Sequence, residues 1–155
     1  MHPTITLITD DWLKQHKPCQ EAIDWWAQKE QDPIKILNNL IAEKRYDWAN
    51  WFIVRVMEYQ DYVAYGVFAA EQVLPIFEEA YPDDKRPRKA IEVAKRCIKN
   101  PSEKNKEAAR AAWVAAEAAA EAARAAWAAA GAAAGAAMQL KILQYGMKLL
   151  TEERS

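Results

Sequence analysis

An all-α fold is predicted by three observations. Apolar residues recur at steps of three and four through most of the chain. Proline, aspartate and asparagine punctuate those runs where helices begin and end. From Ala108 to Ala137 the sequence is almost pure alanine, the strongest helix former. Polar and apolar residues alternate only in Thr4-Ile5-Thr6-Leu7-Ile8, which reads as a short extended lead-in. The expectation is a single helical domain over residues 1–155, with about seven or eight helices, short connections and a long alanine-rich helix at 102–137.

The elements follow in order. Thr9 or Asp10 can cap a short helix holding Trp12 and Leu13, and Pro18 starts another with Ala22, Ile23, Trp25 and Trp26 near its apolar face. Asp32-Pro33 is a cap followed by proline at the first helical position, leading into Ile34, Ile36, Leu37, Leu40 and Ile41. Asp47 is the expected cap of a helix that is apolar nearly all round, through Trp48, Trp51, Phe52, Val54 and Val56. Asp61 is the expected cap of the next, which runs through Val67, Phe68, Val73 and Leu74 to Phe77, with Pro75 placed to kink its end. After the turn Tyr81-Pro82-Asp83-Asp84, Pro87 opens a helix with Ala90, Ile91, Ala94, Cys97 and Ile98 inward. Asn100-Pro101-Ser102 breaks it, and the alanine helix begins near Ser102 or Glu103. The segment from Leu140 to Leu150 either continues that helix or folds back.

The residues interrupting the alanine are ordered. Arg110, Trp113, Glu117, Glu121, Arg124, Trp127, Gly131 and Gly135 follow at steps of three or four, with Val114 the one further departure. Such spacing gathers them on one helical stripe and leaves the remaining face as bare alanine, which permits close approach of neighbouring helices. Trp113 and Trp127 lie fourteen residues apart on that stripe, roughly 21 Å along a helix. Tryptophan and arginine are common interface anchors, so Trp113, Glu117, Glu121, Arg124 and Trp127 are candidate partner contacts, set against a plain solvated edge or tryptophan contacts within the fold. Gly131 and Gly135 would let a backbone approach still closer, which keeps a homo-oligomer through the alanine/glycine face among the readings.

Composition narrows the function. The net charge of -1 disfavours a nucleic-acid binder and an acidic mimic alike. The N-terminus lacks the pattern of a signal peptide, and the charges of the alanine tract oppose a membrane span, so a cytoplasmic protein with no membrane partner is expected. Two cysteines without a CxxC pair read as free buried thiols. His2 and His16 show no ligand spacing, phosphate-binding glycine loops are missing, and Ser102 and Ser155 sit in no nucleophile elbow. No catalytic residue, metal or cofactor is expected. Arg55 and Glu71 lie inside apolar runs and, with Asp47, are expected to form a buried ion pair or to line a polar pocket. A basic stretch from Lys85 to Lys99 offers Arg86 and Arg88 as a second partner patch, against the alternatives of a solvated face or a nucleic-acid patch.

Four segments together resemble a known group. They are Asp47-Trp48-Ala49-Asn50-Trp51 with Ile53-Val54-Arg55, then Phe68-Ala69-Ala70-Glu71-Gln72-Val73-Leu74, then Tyr81-Pro82 followed by Arg86-Pro87-Arg88-Lys89-Ala90-Ile91-Glu92, and the alanine tract. The chain, from roughly residue 30 to 150, resembles the immunity proteins of bacterial polymorphic-toxin systems, specifically the immunity-protein-five-like group also found in phages. That resemblance implies a non-enzymatic protein that binds a toxin or a host defence factor. Two other readings stay open at this point: a small-molecule or nucleotide pocket at Arg55 and Glu71, and a structural homo-oligomer.

Overall fold

The computed structural model describes residues 6–27, 30–100, 102–107, 110 and 132–152. These residues are helical or irregular, with no strand among them, so the class is all-α as expected. The helices are α1 (Asp10–His16), α2 (Gln20–Trp26), α3 (Pro33–Ala42), α4 (Tyr46–Val56), α5 (Tyr59–Ala80), α6 (Arg86–Lys99) and α7 (Ala132–Thr151); residues 103–107 are helical as well. The chain divides into two compact units, residues 1–57 with 146–155, and residues 58–145.

In the first unit the helix ends are set by short-range chemistry. Thr9 Oγ1 accepts the Trp12 N–H at 3.2 Å and caps α1. Asp10 and Asp11 stand at its positive end and His16 at its negative end, where each charge type is favoured. Lys17, at φ 50°, closes α1 in the left-handed region, and Ala27, at φ 40°, does the same for α2. Asp32 accepts the Ile34 N–H at 2.9 Å with Pro33 following, as its sequence required. The core gathers Ile8, Trp12, Trp26, Ile36, Leu37, Leu40, Ala49, Phe52 and Ile53. Trp12 is its aromatic hub, stacked on His16 at 4.1 Å between centroids and edge-on to Trp51 at 6.2 Å. The lead-in is tied down by the Ile8 N–H donating to the Gln31 carbonyl at 2.9 Å.

The second unit centres on α5 and α6, antiparallel across the turn at Tyr81–Lys85. Val67, Leu74, Ile91 and Ala94 form a buried cluster, with Val63, Ala70 and Ile98 packed against it. The buried face of α6 is Pro87, Ala90, Ile91, Ala94 and Cys97, the expected one except that Ile98 is only half-buried. Pro75 lies inside α5 without ending it, and the helix continues to Ala80. Past the break, Ser102 Oγ accepts the Asn105 N–H at 3.2 Å and the Asn105 amide donates to the Asn100 carbonyl at 2.8 Å, which starts the next helix. Tyr145 of α7 stacks on Phe68 of α5 at 4.1 Å.

Several local expectations are corrected. Asp47 does not cap α4: the helix begins at Tyr46, and Asp47 lies in its first turn. Asp61 likewise lies in the first turn of α5, which starts at Tyr59, and is buried at 3% exposure with polar interactions of its own. A carboxylate is favoured near a helix N-terminus whether or not it is the cap, so its presence in the sequence marks the end only to within a turn. One open alternative is settled as well: Leu140 to Leu150 belongs to a single helix running from Ala132 to Thr151. A Cβ at Gly135 would meet nothing within 4 Å among the described residues. Cys19 is exposed where a buried thiol was expected, while Cys97 is buried.

Candidate functional site

The charged surface of the second unit is built on the α5–α6 seam. An antiparallel pair brings residues on the two helices into register, and the flank of α5 meets the flank of α6 twice. Glu71 pairs with Lys95 at 3.4 Å. Seven residues along each helix, Glu78 pairs with Arg88, whose Nε donates to Oε2 at 2.9 Å while Nη2 donates to Oε1. At the turn, Arg86 closes on Asp84 with Nε at 2.9 Å from Oδ1 and Nη2 at 2.6 Å from Oδ2. The Arg86 backbone N–H also donates to Oδ1, at 3.1 Å.

These bonds set the protonation of the carboxylates. The Arg86 guanidinium, followed by its backbone N–H, holds the Asp84 carboxyl down at about 2. Hydrogen bonding from Arg88 lowers Glu78. Both guanidiniums are pushed up in turn by the carboxylates they hold. The turn and the start of α6, from Tyr81 to Arg86 with Lys89, form an open depression bearing charges of both signs. Tyr81 is exposed there, at 51%.

Arg86 and Arg88, the expected second patch, are thus exposed but already occupied by carboxylates of their own chain. The stripe residues Trp113, Glu117, Glu121, Arg124 and Trp127, and Gly131, lie outside the described residues. Arg110, at the head of that stripe, is helical and exposed.

Arg55 and Glu71 are not the buried charges their sequence context suggested. Both are exposed. Arg55 folds back on its own helix, its guanidinium 3.9 Å over the Trp51 ring and its Nη1 donating to the Trp51 carbonyl at 2.6 Å. Glu71 is held by Lys95. Asp47 is exposed too, with interactions of its own. The reason is geometric: α4 buries Ala49, Phe52 and Ile53, and its other flank stays near solvent although it is rich in apolar residues.

Two arrangements were not anticipated from the sequence. Arg45 lies 4.3 Å over Trp48, repeating on α4 the stacking of Arg55 on Trp51; the three-residue step from Arg45 to Trp48 was the available signal. The Tyr59 hydroxyl meets the Cys97 sulfur at 3.5 Å, and this contact, then burial, raises the tyrosine pKa. No sequence signal joins two residues so far apart. Among the described residues no three His, Cys, Asp or Glu side chains gather as a metal site, and no helix is long and apolar enough to cross a membrane. His16 turns to the Trp12 carbonyl, at 2.9 Å from Nδ1, so it is engaged within α1.

Comparison with protein families matches residues 54–145 to the Imm-5 like putative immunity protein family. The chain belongs to that family. The matched segment holds all of α5 and α6, the alanine tract and the first part of α7. It starts later than the resemblance suggested, leaving Asp47 to Trp51 outside. No curated protein and no solved structure matched.

Proposed function

We propose that this immunity-family protein is a non-enzymatic inhibitor that binds a partner protein and occludes its working surface. The partner would be a toxin or, for a phage-borne relative, a host defence factor, met in the cytoplasm. Family membership over residues 54–145 is the observation that carries this reading. The proposed contacts are Trp113, Glu117, Glu121, Arg124 and Trp127, with the Arg86–Asp84 and Arg88–Glu78 pairs as a second patch at the α5–α6 corner. Tryptophan and arginine supply large contact area and bidentate hydrogen bonds, the usual anchors of such interfaces. A guanidinium already held by a carboxylate enters an interface at lower ordering cost than a free one.

The test is capture of partners from a bacterial lysate, followed by assay of the purified partner's activity against increasing amounts of the protein. Occlusion predicts stoichiometric inhibition, and Trp113→Ala with Trp127→Ala should relieve it without lowering Tm. Inhibition that survives both substitutions, or loss of inhibition in step with loss of Tm, would remove the stripe from the interface. Substrate consumption or turnover by the protein itself would end the non-enzymatic reading.

A further inference from the structure

The six cations of α6, from Arg86 to Lys99, are not equivalent. The buried set of α6, centred on Ala94, fixes which positions point away at about 100° per residue. The flank residues Arg88 and Lys95 are neutralised by Glu78 and Glu71 of α5, and Arg86 by Asp84 of the turn. The outermost row is Lys89, Glu92, Arg96 and Lys99, all exposed. Among the described residues none of its three cations has an ion pair. Arg96 and Lys99 stand one turn apart, and like charges so placed repel one another. In a chain whose net charge is -1, this helix concentrates positive charge, and the whole of it lies inside the family-matched segment.

We propose that this outer row of α6 is a docking surface for a protein partner that presents an acidic row, with a basic residue opposite Glu92. The inference deepens the proposed inhibitor function and rests on it. Charge complementarity carries the choice of occupant: three uncompensated cations along three turns of one helix steer and register an acidic face. A nucleic acid is the poorer fit. Its uniform phosphate charge would meet Glu92 within the row and Asp83 at its head. A protein surface can answer a mixed row residue by residue. The sequence offered Arg86 and Arg88 from this stretch, but their charge is already spent within the chain.

The full chain, isotopically labelled, is titrated with a glutamate-rich peptide carrying one central lysine, and separately with an oligothymidylate, following amide shifts at low and at near-physiological salt. The expected result is that this peptide shifts the Lys89, Arg96 and Lys99 amides, with affinity falling as salt rises. Lys89→Ala/Arg96→Ala/Lys99→Ala should weaken it by about tenfold or more, and Glu92→Gln should weaken it less, by removing the partner of the peptide lysine. Arg86→Ala/Lys95→Ala, which removes only compensated charge, should weaken it less. Shifts away from α6, an unaffected triple variant whose helical circular dichroism is intact, or oligothymidylate binding the same row as tightly would overturn the proposal. Inhibition of a captured partner that survives the triple variant removes this row alone. Peptide binding at the row without inhibition of any captured partner removes the inhibitor reading instead.

Discussion

Glu71 and Lys95 meet across the α5–α6 seam at 3.4 Å, with both side chains substantially in water, at 41% and 52% exposure. The same register, seven residues along each helix, joins Glu78 to Arg88. The seam is therefore apolar inside, through Leu74 and Ile91, and edged by an ion-pair ladder facing solvent.

An exposed ladder contributes little stability, so a double-mutant cycle of Glu71→Gln and Lys95→Met should give a coupling under about 1 kcal/mol that fades with added salt. Had Glu71 been a buried charge, removing its partner would cost about 3–5 kcal/mol. Urea denaturation of the four proteins decides between these magnitudes.

Asp84 gives the acid limb of stability a defined shape. Its carboxyl is held at about 2 by Arg86, against an ordinary value of about 3.9. A pKa lowered by folding means stability that is fully present above the unfolded value and is lost as pH falls through the folded one. Between about pH 4 and pH 2, Asp84→Asn should therefore show a shallower fall of Tm than the parent. Glu78→Gln should act in the same direction, since Arg88 lowers that carboxyl also. Parallel Tm–pH curves for parent and variants would contradict this.

The two thiols should differ sharply in access. Cys19 is exposed and Cys97 is buried at 1% exposure against Tyr59. A disulfide-exchange reagent should modify Cys19 at once in the native protein and reach Cys97 only through opening or denaturant. Cys19→Ala should abolish the fast phase and leave the slow one. Two fast phases in the parent would show α6 to be less protected than its packing implies.

Ile91 sits at the middle of the α5–α6 cluster with 6% exposure. Ile91→Ala should cost about 2–5 kcal/mol through lost transfer energy and an unfilled cavity. Leu7→Ala, at 57% exposure, should stay within about 0.5 kcal/mol of the parent. Chemical denaturation of the pair measures both.

What the sequence revealed follows from the range of the interactions involved. The Asp32-Pro33 start of α3 and the inward face Ala90, Ile91, Ala94 and Cys97 were legible because caps and helical faces depend on residues within one or two turns. The starts of α4 and α5 were misread by a few residues, because Asp47 and Asp61 suit the first turn as well as the cap. The exposure of Arg55 and Glu71 was not legible. Apolar neighbours on all sides of a helix do not say which side is covered.

The sequence by itself determined the all-α class, most helix locations, the buried face of α6 and the immunity family, since each is written in local periodicity or in a run of characteristic residues. Only the tertiary structure decided which charges are neutralised. Glu78 with Arg88 and Glu71 with Lys95 are partners because two antiparallel helices packed in one register, and register is set by the fit of side chains across the seam. That fit separates the compensated cations of α6 from the outer row of Lys89, Arg96 and Lys99.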